Sequence, residues 1–248
     1  MPCCALLMAT KIARSHNPLI ELNFEAGTHA VPDDPRERAA ALRAGERSWA
    51  RFPYYAARYG DRGRRFTRSD SAWLATLAGY DVAVVEQRVL WLGVVLAARG
   101  MPQWLLELHL EVLHDALCAE LPARRDDYAA LLAGARALRT LREPYLGVGA
   151  LADHTNSFAA RVGPEWNARL PETGGLIAAA VADEAAGIAR AVTSLVQWLT
   201  EPSRFQAPWI AAVEETLKEA RMQVQTATRS PVTGQPARLA SLPERLPE

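Results

Sequence analysis

Apolar residues recur at three- and four-residue spacing along most of the chain, and that period predicts helices. The clearest case is 102–121, PQWLLELHLEVLHDALCAEL. Pro102 suits a helix start because it has no N–H to leave unpaired, and Pro122 stops the run. Steps of about 100° place Glu107, Glu111, His114, Asp115 and Cys118 on one stripe. Leucines and other apolar residues cover the rest, and His109 falls among them. An apolar arc that wide predicts contact with neighbours on several sides, so this helix is read as central.

The same reasoning predicts further helices near 35–51, 69–79, 82–99, 125–142, 176–200 and 208–225, with a shorter one from 150 to 162. Asp34 and Pro35 mark one start, and Asp81 marks another. Ser69 or Asp70 is expected to cap the helix at 69–79. Gly60 and Gly63 mark the preceding stretch as a loop, while Gly163-Pro164 and Gly174-Gly175 punctuate the second half. Ile20, Leu22 and Phe24 alternate with other residues, a short strand signal with no second strand to pair with.

The predicted fold class is therefore all-α, a multi-helix orthogonal or bundle-like globule of about seven to eight helices. It divides into an extended N-terminal arm (1–33), a helical core around helix 102–121 (34–146), a second helical part packed on the first (150–225) and a disordered tail (226–248). Gly147-Val148-Gly149 is the expected hinge. The hairpins 82–121 and 176–225 share a Pro and a Trp near their turns, which fits either duplication or convergence.

Composition narrows the function classes. The chain has 248 residues, half of them hydrophobic, and a formal net charge of zero. No whole-molecule field therefore favours nucleic acid or a membrane surface. The basic residues are arginine apart from Lys11 and Lys218, which reads as the codon bias of a GC-rich genome. Three cysteines without framework spacing predict a reduced, cytoplasmic protein. The first residues lack the basic start of a leader, and the longest apolar run, 89–98, is about half a membrane span.

Three groups of residues carry candidate chemistry. Arg58, Arg62, Arg64, Arg65 and Arg68 lie among Tyr54, Tyr55, Tyr59 and Phe66. Guanidinium forks match carboxylate or phosphate, and a helix start at 69–70 would add N–H donors. The alternative is pairing within the chain, with Asp61, Asp70, Glu46 and Glu86 as available partners. Glu111-Val-Leu-His114 has the Glu-x-x-His spacing of carboxylate-bridged metal sites, and Glu107 extends it. His109 among leucines could serve as an axial haem ligand; the alternative is a core histidine satisfied by hydrogen bonds.

No phosphate-binding Gly-rich loop, Gly-x-Ser-x-Gly or His-Glu-x-x-His is present, so the sequence names neither a reaction nor a cofactor. The first expectation is a non-enzymatic ligand-binding, sensor or adaptor protein taking an anionic small molecule or partner at 54–70, with Tyr55 and Tyr59 among its contacts. A metal- or haem-dependent oxidoreductase using the central helix is the second. A structural homo-oligomer subunit docking through the arm is the third.

Overall fold

The computed structural model describes residues 22–26 and 29–229. Among these residues there are nine α-helices and no strand. They are α1 (Pro35–Arg51), α2 (Pro53–Thr76), α3 (Val82–Ala97), α4 (Gln103–Glu120), α5 (Arg125–Arg142), α6 (Ala150–Arg169), α7 (Thr173–Ala185), α8 (Ala191–Leu199) and α9 (Ala207–Arg229). The all-α expectation is met. No described helix is long and apolar enough to cross a membrane.

Helix α4 touches α1, α2, α3, α5 and α7, as its broad apolar arc predicts. Its most extensive partners are α5 and α1 rather than α3, the neighbour next to it in sequence. One apolar cluster joins α1, the second half of α2, α3, α4 and α5 around Leu110, Leu113, Leu117, Tyr128 and Leu131. Another gathers α6 to α9 around Phe158, Ile177, Leu195 and Trp209, and also takes in Tyr54, Tyr55 and Leu105.

Local chemistry fixes the helix ends. Asp34 Oδ1 accepts a hydrogen bond from Arg36 N at 2.8 Å, closing one orphan donor of α1, and Pro35 occupies the first turn. Pro102 is the N-cap of α4 rather than its first residue. The carboxylate of buried Asp183, from α7, accepts the Gln103 N–H at 2.9 Å, so a distant helix caps α4.

Several boundaries differ from expectation. The predicted arginine-rich loop is helical: α2 runs from Pro53 to Thr76, with one non-helical residue, Gly60 (φ 53°, ψ −153°). Glycine adopts that φ without a Cβ clash, so the chain kinks and resumes its helix instead of opening a loop. Ser69 and Asp70 therefore lie inside α2 and start no helix. Gly163 (φ 79°) kinks α6 in the same way, and α6 continues to Arg169. The predicted helix 176–200 is broken into α7 and α8 between Ala186 and Arg190. Gly187 (φ 105°) and Arg190 (φ 68°) there are left-handed.

Gly174 and Gly175 lie within α7, where they permit close helix contact, and they punctuate nothing. Thr226 to Arg229 continue α9, so the helix outlasts the predicted start of the tail; residues 230–248 lie outside the described residues. Leu22 is helical and residues 23–26 form a turn, so neither is a strand. Phe24 is 72% exposed while Asn23 is buried and donates to Ser69 Oγ, the reverse of the expected alternation. The rest of the strand signal, at 18–21, lies outside the described residues.

Candidate functional site

The Gly60 kink lets α2 serve both apolar clusters. Tyr54 and Tyr55 before it join the second, and Trp73 to Ala75 after it face the first. Where the two directions diverge, a cavity of about 700 Å³ remains between α1, α2, α3 and α4. That is the size class of small-molecule sites. Its walls are aromatic and aliphatic: Trp49, Tyr55, Tyr59 and Phe66 on one side, Leu92, Leu96, Leu105 and Leu106 on the other.

Of the five arginines singled out in the sequence, Arg58 and Arg62 line this cavity, together with Arg99 from the end of α3. Arg58 donates to the carbonyl oxygens of Ser194 (2.6 Å) and Arg99 (3.2 Å) and to the Tyr54 hydroxyl (2.6 Å). It also lies 5.1 to 5.8 Å from the ring centroids of Tyr54, Tyr59 and Trp198. Among the described residues no carboxylate pairs with it, and its charge there is held by dipoles and ring faces. Arg62 and Arg65 share Glu25, at 2.8 and 3.1 Å. Their hydrogen bonds hold the Glu25 carboxyl below the usual range. Arg64 pairs with Glu46 on the surface. Arg68 is exposed, and among the described residues it makes no ion pair. The chain's own carboxylates thus take up three of the five, and Glu25 is a partner the sequence did not suggest.

Two further polar features face the cavity. Asp70 is half-buried and accepts no hydrogen bond among the described residues. Burial pushes its pKa up to about 7, partly opposed by the Arg99 charge. His109 is 7% exposed and sits between two serines, with Ser48 Oγ at 2.9 Å from Nδ1 and Ser71 Oγ at 3.0 Å from Nε2. Burial lowers its pKa to about 4, so the ring is neutral. The order predicted from the helix period holds: His109 is enclosed and His114 less so, its side chain 15% exposed. Both His109 nitrogens are occupied by hydroxyls, the satisfied-core arrangement weighed against an axial haem ligand.

The stripe proposed for a metal is arranged differently from a ligand set. Glu107 is 2% exposed and receives hydrogen bonds from Arg139 Nε (2.7 Å) and Arg142 Nη1 (2.6 Å). Glu111 takes the other arm of Arg139 at 2.7 Å. His114 lies between Asp115 (3.1 Å) and Cys118 Sγ (3.3 Å). Among the described residues no group of three or more His, Cys, Asp or Glu side chains converges with metal-binding spacing. Glu107 and Glu111 instead cement α4 to α5 through guanidiniums.

Ser48, Ser71 and Arg99 were absent from the sequence candidates. Serine is a poor interior helix residue because its hydroxyl competes for backbone partners. Two serines within α1 and α2, Ser48 next to Trp49 and Ser71 two residues before Trp73, were the available signal. No protein-family model, curated protein or solved structure matches this chain.

Proposed function

We propose that this chain is a small-molecule-binding protein whose ligand occupies the cavity between α1, α2, α3 and α4. The ligand has an apolar or aromatic body and one acidic group directed at Arg58, Arg62 and Arg99. The observation that carries this reading is the cavity itself, about 700 Å³ with apolar walls and three guanidiniums against the carboxyls of Glu25 and Asp70. With Asp70 protonated through much of the range up to about pH 7, its lining is net positive. The sensor or adaptor role fits such a site, since His109, the base beside its two serines, is weakened by burial to a pKa of about 4.

The test uses 1-anilinonaphthalene-8-sulfonate and decanoate as probes, each an apolar body with one anionic group. Both should raise the melting temperature of the full chain, and the shift should shrink as salt is added. Leu96→Trp places an indole in the cavity from a half-buried wall position. It should abolish both shifts while leaving the unliganded melting temperature near that of the parent. Binding unaffected by Leu96→Trp would move the site elsewhere and end this reading.

Asp70 adds a pH dependence whose sign is fixed. Its folded pKa, about 7, lies above the unfolded 3.8. The stability it contributes is therefore full below the lower value and lost as pH climbs through the upper one. His109 runs the opposite way: its folded pKa is about 4 against 6.5, so its contribution is full above 6.5 and lost as pH falls toward 4. For binding, an ionised Asp70 repels an acidic ligand. Decanoate affinity should fall between pH 6 and pH 8 by roughly three- to tenfold, a like-charge effect at partly screened distance. Asp70→Asn should flatten that profile, and an unchanged profile in the variant would remove Asp70 from the site.

A further inference from the structure

Hydrogen-bond bookkeeping at the cavity floor leaves one proton over. A neutral imidazole offers one N–H and one lone pair, and each serine offers one O–H. Ser48, His109 and Ser71 therefore hold three polar hydrogens, while their two mutual contacts, at 2.9 and 3.0 Å, consume two. If Nδ1 carries the ring proton, it donates to Ser48 Oγ, Ser71 O–H donates to Nε2, and the Ser48 O–H is left. In the other tautomer the Ser71 O–H is left.

Neither hydroxyl makes a hydrogen bond to a backbone carbonyl or to any other side chain among the described residues. The serines are 5% and 0% exposed, yet both line the cavity, as does the ring between them. A buried hydroxyl without an acceptor is unfavourable, and the open volume is the one direction in which an acceptor can be supplied.

We infer that Ser48–His109–Ser71 is a ligand-reading site, whose free hydroxyl donates to an oxygen acceptor at the buried end of the bound molecule. This rests on the cavity-binding reading above and narrows its ligand class. The ligand carries its acid at the arginine mouth, an apolar body against the leucines, and a carbonyl or hydroxyl oxygen at the far end. A carboxylate is disfavoured at the floor, because the imidazole there is neutral and no cation offsets the loss of water. The tautomer is free to follow the ligand, so either serine can be the donor.

Decanoate and its ω-hydroxy derivative, titrated calorimetrically into the full chain, test the inference. The hydroxy acid should bind at least as tightly as decanoate, because its hydroxyl trades water for the floor donor. In Ser48→Ala/His109→Leu/Ser71→Ala the polar floor becomes apolar at nearly the same volume, a replacement that keeps buried groups satisfied. That variant should keep its decanoate affinity and lose about tenfold or more for the hydroxy acid, the discrimination of a site built for a polar group. An unchanged preference in the variant overturns the inference. So does equal loss for both acids, which would put the carboxylate on the floor. Should the variant not fold, the wild-type ratio decides: a hydroxy acid bound more than about tenfold weaker than decanoate marks an apolar floor. If neither acid binds wild type, the cavity-binding reading itself has failed, a result distinct from these.

Discussion

Glu107→Ala is expected to cost about 3–5 kcal/mol of folding stability, the range for removing one partner of a buried charge pair. The carboxylate is 2% exposed and is held by Arg139 and Arg142 from α5. The Arg142 side chain is only 10% exposed, so without Glu107 its charge stays buried with no ion pair among the described residues, and only the Asp183 carboxyl acts on it through space. Arg139 is 42% exposed and can turn to water and Glu111, so most of the loss belongs to Arg142. Glu107→Gln keeps one acceptor and should cost less than Glu107→Ala. Arg64→Ala, which breaks an exposed pair with Glu46, should change stability by less than about 1 kcal/mol. Urea unfolding curves of the three variants check the order. A loss below about 1 kcal/mol for Glu107→Ala would mean that the α4–α5 seam relaxes to admit water.

The helical period and the caps carried most of the architecture. Asp34-Pro35 starts α1, Asp81 precedes α3, and the enclosure of His109 followed from its place among leucines on α4. What stayed hidden has physical reasons. A glycine at positive φ, such as Gly60 or Gly163, reads like a loop, yet the backbone resumes its helix when both flanks have surfaces to bury. The break at Gly187 and Arg190 is the converse, because an apolar period continues across a point where the chain turns. Glu107 sits on the polar stripe of its own helix, and only α5, with Arg139 and Arg142, decides that this stripe is covered.

The candidate site was legible in part. Arg58, Arg62, Tyr55 and Tyr59 were named from composition, and they do line one cavity. Their surroundings were not predictable, because the cavity exists only where the kinked α2 meets α3 and α4, a long-range fact. Ser48 and Ser71 come from two different helices and Arg99 from the turn after a third, and no local spacing joins them.

Gly174→Ala is expected to destabilise the fold by about 3 kcal/mol, the upper end of the usual cost of overpacking. Gly174 opens α7 where it crosses α6. A Cβ built there lies 2.1 Å from the carbonyl oxygen of His154 and 2.7 Å from the Phe158 Cβ. The first of these is backbone, so no rotamer change relieves it; the two helices must part. Parting them disturbs Phe158, 1% exposed, whose ring meets Trp209 edge-on at 4.9 Å. It also pulls on the His154 Nε2 contact with Gln223 at 2.8 Å, which ties α6 to α9. The strain therefore reaches the middle of the second apolar cluster. Gly147→Ala is the matched control, since a Cβ there meets nothing within 4 Å and its φ is not left-handed. It should leave the melting temperature unchanged within error, while Gly174→Ala should lower it by roughly 6–12 °C, given about 2–4 °C per kcal/mol for a chain of this size. A Gly174→Ala protein that melts with the parent would show that α6 and α7 separate at little cost, and the close glycine contact would then hold nothing together.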